Sequence, residues 1–183
     1  DNIADDVCFL RGRKSKMEIV SARSKEHFSI ASWLHAESWR HAYRGMISDD
    51  YLNSLKDDFW TSNLERLSNL GVLNVDILFD NCNPVGVVSY GRARDENLRD
   101  WGEIVSLYIR LECFRKGFGN ILLKHSVNEF KSKEFEHCYL WVLKENDIAK
   151  EFYLKNQFSW NGEECKVNLR GQTLTDLRYV RDI

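Results

Sequence analysis

Hydrophobic residues along the chain change their spacing several times, and each change predicts a new element of secondary structure. A short apolar strand over 17–23 is followed by helical spacing that begins after Ser24, a suitable N-cap, and ends near Gly45. Two short helices are predicted before Gly71. From residue 73 apolar and polar positions alternate, which indicates a strand, and the turn-forming run 80–84 predicts that a second strand, 85–92, pairs back as a hairpin.

The second half of the chain alternates strands and helices. We predict strands over 102–109 and 136–143, helices beginning near Gly119 and at Asp147, and a closing pair of strands over 158–169 and 173–181. This order predicts one α/β domain over 17–183, with a mixed, mostly antiparallel sheet of about seven strands flanked by helices. Residues 1–16 are dense in charge and are predicted to form a flexible, solvated tail.

Composition narrows the classes of function. Hydrophobic residues make up 43% of the 183 and charged residues 30%, which is typical of a soluble globular protein. The net charge of −2 argues against a nucleic-acid partner, although the basic run 11–16 leaves that alternative open, and the apolar runs are too short to span a membrane. Five scattered cysteines, without zinc-ligand spacing, predict reduced thiols, no metal site and a cytoplasmic location.

One segment has the character of a phosphate-binding turn. Phe114-Arg115-Lys116-Gly117-Phe118-Gly119 lies between a predicted strand and a predicted helix. Glycines let the backbone approach a ligand closely, a helix N-terminus offers unpaired N–H groups, and two cationic side chains add charge. A tight turn without a ligand is the alternative interpretation. Walker A and Rossmann motifs are excluded, because Asn120-Ile121 and Leu122 stand where those motifs need other residues.

The order of three further segments resembles the GNAT superfamily of N-acetyltransferases. GEIVSLYIRLECFRKGFGNIL (102–122) is similar to that family's fourth strand and phosphate loop, Asn146…Phe152-Tyr153 to its last catalytic helix, and HAESWRHAYRG (35–45) to its first helix. The resemblance covers 17–183. It implies acetyl-CoA as co-substrate, no metal, and direct attack by a primary amine of a small molecule or peptide, and it allows a homodimer. A non-catalytic acyl-CoA-binding sensor or interaction module on the same fold is the alternative.

The resemblance also implies roles for individual residues. Glu103 matches the family's common base, with a strand-edge carboxylate or a salt-bridge partner as the alternative. Tyr153 matches the donor of a proton to the departing sulfur, with an aromatic ring packed beside Phe152 as the alternative. Asn146 is expected to bind the pantetheine arm, to cap a helix, or both. The remaining cofactor contacts are expected from the strand residues Leu107, Tyr108 and Ile109 and from the loop residues Arg115, Lys116, Gly117, Phe118, Gly119 and Asn120.

Two positions depart from the family pattern, and several candidates for the acceptor side stay open. Phe114 replaces the usual Gln or Arg, and Gln157 replaces a common Gly, so Asn156 is predicted to take the left-handed conformation at the helix end. Surface positions are favoured for His35 and His41. The aromatic residues of the first helices are expected either in the core or along an acceptor cleft, and nearby acids would suit a cationic amine: Trp33, Trp39, Tyr43 and Trp60, with Glu37, Asp49 and Asp50.

Overall fold

A computed structural model describes residues 17–183, so the tail predicted for 1–16 lies outside the described residues. The strands are β1 (Met17–Ser21), β2 (Asn74–Asp80), β3 (Asn83–Arg92), β4 (Gly102–Ile109), β5 (His137–Leu143), β6 (Ser159–Leu169) and β7 (Gln172–Asp182). The helices are α1 (Lys25–Ala42), α2 (Asp49–Ser54), α3 (Thr61–Asn69), α4 (Phe118–Ser132) and α5 (Asp147–Lys155), with short 3₁₀ turns at Glu96–Leu98 and Leu111–Cys113.

The strands form one sheet in the order β1-β2-β3-β4-β5-β7-β6. Every neighbouring pair is antiparallel except β4 and β5, which confirms the predicted mixed, mostly antiparallel sheet. The parallel pair is short, since β4 and β5 pair only from Gly102 opposite Cys138 to Ile104 opposite Leu140. Both strands continue beyond these positions without pairing to each other, and a gap therefore opens in the middle of the sheet.

Helices cover both faces of the sheet, and each face has its own core. On one face α4 and α5 bury a cluster that includes Leu122 and Phe130. On the other face α1 and α3 bury a cluster around Phe28 and Leu34. A third, smaller cluster packs the α2 region against the hairpin of β6 and β7. The gap between β4 and β5 therefore lies between the face covered by α4 and α5 and the face covered by α1 and α3.

Local sequence signals explain how the helices begin. The Ser24 side chain accepts a hydrogen bond from the backbone N–H of His27 at 3.3 Å, which confirms the predicted N-cap of α1. The Asn146 side chain accepts from the N–H of Ala149 at 3.1 Å, so one of its two expected roles, capping α5, is present in the structure. These caps fix where α1 and α5 start, and both helices border the gap.

Candidate active site

The gap between β4 and β5 exposes one edge of the β4 backbone. The Arg110 N–H donates to the Val85 carbonyl at 3.0 Å, so this pair of residues is hydrogen-bonded across β3 and β4. In an antiparallel ladder such pairs alternate with pairs whose backbone groups point away. The N–H and C=O groups of Leu107 and Ile109 therefore point into the gap, where an extended ligand with amide groups can pair with them.

The loop at one end of this gap presents a row of amide hydrogens. Gly117 is the N-cap of α4 at φ +84°, a left-handed conformation that its lack of a side chain permits, and Arg115 is also left-handed at φ +61°. The first backbone bond of α4 runs from the Ile121 N–H to the Gly117 carbonyl at 3.2 Å. Within 17–183, the amide N–H groups from Arg115 to Asn120 have no backbone or side-chain acceptor. Such a row suits an anion.

Gly119 has a different role in the same loop. A Cβ atom at this position would lie 3.2 Å from the ring of Phe152, so the absence of a side chain lets the start of α4 approach α5 closely. The Asn156 Nδ2 group also joins the two helices by donating to the Asn120 Oδ1 atom at 3.0 Å. The loop that presents the amides is thus held against the helix that carries Tyr153.

The end of α5 departs from the sequence prediction. Asn156 has φ −101°, whereas Gln157 has φ +67°, so the prediction that Asn156 takes the left-handed position is wrong. The reason is that Asn156 is held by side-chain bonds to Asn120 and to the Phe152 carbonyl, the latter at 2.9 Å. Gln157 therefore accepts the strained backbone that glycine would adopt more easily.

Tyr153 lies on α5 and is largely buried. Its ring packs edge-on against Phe152 and Phe158, with centroids 5.1 Å and 5.8 Å away. Burial raises the pKa of its hydroxyl well above the ordinary value, and the nearby Tyr43 adds to the effect. A hydroxyl that stays protonated can donate a proton or a hydrogen bond to an anion that forms beside it.

A cluster of aromatic side chains lies on the α1 face of the sheet. The Trp39 indole N–H donates to the Tyr108 hydroxyl at 2.9 Å, and the hydroxyls of Tyr43 and Tyr108 lie 3.4 Å apart. The ring of Trp60 packs against that of Trp39 at a tilt of 47°, with centroids 5.4 Å apart. The side chain of Tyr108 thus belongs to this cluster, and its backbone groups point toward β3. The expected cofactor contact of Tyr108 stays a prediction.

His35 lies beneath the aromatic cluster. The prediction of a surface position holds for His41, which is exposed, but is wrong for His35, which is only 4% exposed. The Nδ1 atom of His35 lies 2.7 Å from the Ala31 carbonyl and its Nε2 atom 3.0 Å from the Ser106 hydroxyl. Its ring packs edge-on against Tyr108. Burial lowers the pKa of His35 to about 4, so the ring is neutral at neutral pH.

Glu103 is buried on the α1 face, and its carboxylate is hydrogen-bonded to neighbouring side chains and backbone. Its carboxylate accepts hydrogen bonds from the Arg94 backbone N–H at 3.0 Å, from the Arg94 Nε at 2.9 Å and from the Arg94 Nη2. The Tyr139 hydroxyl also bonds to it, and burial together with the Glu103 charge raises the pKa of Tyr139. The salt-bridge role that the sequence left open is therefore present, while the role of Glu103 as a base stays a prediction.

Asp176 is an acid that the sequence interpretation missed. It lies on β7 opposite Leu143 of β5 and is partly buried, and no hydrogen bond or ion pair reaches its carboxylate from the part of the chain that the structure describes. Burial raises its pKa, and the charge of Glu145 contributes, while the Asp176 charge helps to raise the pKa of Tyr43. No local signal marks Asp176, because polar residues are ordinary in an alternating strand.

The other acidic candidates are less available. Glu37 forms an ion pair with Arg110 at 3.2 Å, and Asp49 and Asp50 are exposed in the first turn of α2. Trp33 packs under the Arg110 guanidinium, whose carbon lies 4.9 Å from the indole centroid. Among residues 17–183, these contacts leave Asp176 as a partly buried carboxylate without a bonded partner on the aromatic side of the gap.

Two parts of the chain that are distant in sequence form the outer wall of the aromatic side of the gap. The Gln172 side chain, at the start of β7, donates to the Met46 carbonyl at 2.7 Å and accepts from the Ser48 N–H at 3.2 Å. The Arg170 guanidinium lies over the Tyr51 ring, 5.0 Å from its centroid. The connection between α1 and α2 is therefore fastened to the hairpin of β6 and β7.

Two further features of residues 17–183 complete the description. No helix in this range is long and apolar enough to cross a membrane. In the same range, no three His, Cys, Asp or Glu side chains are grouped as a metal ion would require.

The fold and the gap beside a helix N-terminus define a known class of enzymes. The model of the acetyltransferase (GNAT) family matches residues 31–158, and the chain belongs to this family. The resemblance inferred from the three sequence segments is therefore confirmed, as is the fold class.

Individual relatives agree with this assignment. An uncharacterized N-acetyltransferase, YuaI of Bacillus subtilis, is 29% identical over 139 residues, which cover 73% of this chain and 72% of the relative. A spermidine N(1)-acetyltransferase of Thermoplasma acidophilum is 30% identical over 125 residues, covering 67% of this chain and 76% of the relative. The crystal structure of the PaiA N-acetyltransferase from Thermoplasma acidophilum in complex with coenzyme A shares the fold, with a TM-score of 0.71 at 21% identity over 92% of this chain and 99% of that one.

Proposed function

We propose that the protein transfers the acetyl group of acetyl-CoA to a primary amine of a small molecule or peptide that carries a second positive charge. The observation that carries this proposal is the continuity of the open β4 edge with the unpaired amides from Arg115 to Asn120. A coenzyme A molecule has a diphosphate and a chain of two amides, which match these two features in kind and in order. Coenzyme A is also bound in the PaiA N-acetyltransferase structure.

The residues present fit this co-substrate. The amides at 115–120, with the exposed side chains of Arg115 and Lys116, would hold the diphosphate. The pantetheine arm would pair with the backbone groups of Leu107 and Ile109. The side-chain NH₂ group of Asn146, which takes no part in the cap, would donate to the same arm. When bound, the thioester supplies an acyl carbon that an amine can attack and a thiolate that can leave.

Side chains of this protein would donate and accept the protons of the transfer reaction. The Tyr153 hydroxyl is kept protonated by burial and donates its proton to the leaving sulfur. The nitrogen must lose a proton after it attacks, and Glu103 is the candidate acceptor from the family resemblance. For that role one oxygen of its carboxylate must first be released by Arg94. Water in the cleft is the alternative acceptor.

The acceptor side favours a cation. The unbonded carboxylate of Asp176 lies near Tyr43, at the edge of the aromatic cluster, where a second ammonium group of the acceptor would find both charge and an aromatic face. The relative from Thermoplasma acidophilum acts on spermidine, which has several ammonium groups. Polyamines are therefore the first class of acceptor to test.

Two measurements test this function. Thermal-shift titrations with acetyl-CoA and with CoA should each raise the unfolding temperature, because both carry the diphosphate. A thiol-release assay across polyamines, aminoglycosides, amino acids and peptides should then give turnover with at least one multiply charged amine. Stabilisation by acetyl-CoA without turnover on any amine would favour the non-catalytic sensor. No stabilisation by either ligand would contradict both functions.

Tyr153→Phe tests the proton donor. We expect kcat to fall about 100-fold, the usual scale for loss of a general acid, while the affinity for acetyl-CoA stays unchanged. Tyr179→Phe is the matched control, since Tyr179 is a buried tyrosine of the same core cluster but lies on β7 and not on α5. Equal turnover in Tyr153→Phe and in Tyr179→Phe would remove the role of Tyr153.

A further inference from the structure

Ser106 occupies a special place on β4. Its side chain lies on the α1 face, bonded to His35, and the next residue, Leu107, turns its backbone into the gap. Ser106 is partly exposed, whereas its partner across the ladder, Ser89, is 1% exposed and has no hydrogen-bond partner for its hydroxyl within the described residues. Ser106 is therefore a hydroxyl that a molecule entering from the aromatic side can reach.

The bonds of His35 fix the direction of the Ser106 hydroxyl. The Ala31 carbonyl can only accept, so the Nδ1 atom of His35 that faces it at 2.7 Å must carry the hydrogen. In a neutral ring the Nε2 atom then has a lone pair and no hydrogen. The Ser106 hydroxyl, 3.0 Å away, must donate to that lone pair. The lone pairs of the Ser106 oxygen are then free to accept a hydrogen bond.

This direction matters for a nucleophilic amine. A neutral primary amine has one lone pair, which must point at the acyl carbon, and two N–H groups. A serine hydroxyl that was free to rotate would donate to the amine lone pair and block the attack. A hydroxyl whose hydrogen is held elsewhere can only accept an N–H, and accepting it turns the amine lone pair away from the serine.

We propose that Ser106 accepts a hydrogen bond from the attacking amine and aligns it, and that His35 is a positioning residue that holds the Ser106 hydrogen away from the amine. This inference rests on the proposed function, because it deepens the same site on its acceptor side. His35 also suits a cationic acceptor, since its neutral ring places no positive charge beside the ammonium groups.

The first test does not depend on turnover. Nitrogen-15 NMR of the histidine rings in the full-length protein reports which ring nitrogen carries the hydrogen. We expect the Nδ1–H form for His35 and a change in the Nε2 resonance of His35 in Ser106→Ala, where the donor is absent. An Nε2–H form would overturn the proposal, because the Ser106 hydroxyl would then accept from His35 and its hydrogen would be free.

The second test separates acceptor alignment from folding and from cofactor binding. In Ser106→Ala we expect kcat/KM for the acceptor to fall about tenfold, the scale of one lost hydrogen bond, with KM for acetyl-CoA changed by less than about twofold. Ser106→Thr keeps the hydroxyl and should restore most of the activity. Ser89→Ala, the matched control from the partner strand, should match the wild type.

The outcomes distinguish this proposal from the one on which it rests. Wild-type kinetics in Ser106→Ala, with turnover present, would overturn the role of Ser106 and leave the acetyltransferase function intact. Loss of acetyl-CoA binding in Ser106→Ala would also overturn it, because the effect would then be structural. Absence of turnover in the wild type would contradict the proposed function itself, whatever the NMR shows.

Discussion

Glu103→Gln distinguishes the two roles of Glu103, because it removes the negative charge and keeps the shape. The Glu103 side chain is 2% exposed, and its carboxylate receives three hydrogen bonds from Arg94 as well as one from Tyr139. A carboxamide has a single acceptor oxygen and would turn its NH₂ group toward the guanidinium. At least one donor of Arg94 therefore loses its partner.

The size of the effect follows from the exposure of the two partners. Breaking a fully buried ion pair costs about 3–5 kcal/mol, because a charge is left without solvent or partner. The Arg94 side chain is 59% exposed, so water can replace the carboxylate around it, and we expect Glu103→Gln to cost about 1–3 kcal/mol. In Arg94→Gln the buried carboxylate of Glu103 is left without its cationic partner. The loss in free energy of unfolding should therefore be larger, about 3 kcal/mol or more.

The assay is a double-mutant cycle with two readouts. Urea unfolding of the wild type, Glu103→Gln, Arg94→Gln and the double variant should show that the double variant loses less stability than the two single losses added together. Thiol release is measured on the same proteins from pH 6 to pH 9. Because the contacts favour the ion-pair role, we expect kcat of folded Glu103→Gln to fall by less than about tenfold.

One result would refute this reasoning. If Glu103→Gln unfolds at the same urea concentration as the wild type, but kcat falls about 100-fold and falls most at low pH, the carboxylate is a base and not chiefly the partner of Arg94. Additive stability losses in the double variant would likewise show that the two side chains do not depend on each other.

Three further predictions concern other parts of the molecule. Gln157→Gly should raise the free energy of unfolding by about 0.5–1 kcal/mol in urea titrations, because glycine adopts the left-handed backbone without strain; a loss would contradict this. Asp176→Asn should raise KM about tenfold for a polyamine and little for a monoamine, whereas Asp182→Asn, an exposed acid on the same strand, should leave both unchanged. The hydrogen bond to Asp76 raises the pKa of His125 above 6.5 in the folded protein. The stability that protonated His125 contributes is therefore fully present below pH 6.5 and is lost as the pH rises through the folded pKa. His125→Asn should remove this pH dependence from the free energy of unfolding measured from pH 6 to pH 9.

The fold was predictable because its signals are local. The change from helical to alternating spacing near residue 73, the N-cap at Ser24 and the glycines at 117 and 119 each depend on a few neighbouring residues. The turn at 115–120 was predictable for the same reason, while its binding of phosphate stays a prediction. Its helix begins at Phe118, one residue before the predicted start, because Gly117 and not the residue after it takes the N-cap position.

The features that the sequence analysis missed depend on contacts between residues that are far apart in the chain, and a local pattern does not report such contacts. His35 is buried because Ser106, 71 positions away, provides its polar partner. Gln157 and not Asn156 is left-handed because Asn156 reaches Asn120 on another helix. Asp176 was missed for the same reason, since only the fold brings β7 beside the end of α1.

The bonds of Gln172 to the main chain at Met46 and Ser48 make the terminal hairpin and the connection between α1 and α2 one structural unit. The terminal hairpin and the first interhelical connection brace each other and have no bond to the turn at 115–120 within residues 17–183. Mutations in this outer wall can therefore change the aromatic side of the gap without removing a bond of the turn at 115–120. Recombination that exchanges the hairpin together with its partner segment keeps the bonds of Gln172, whereas exchange of either part alone breaks them.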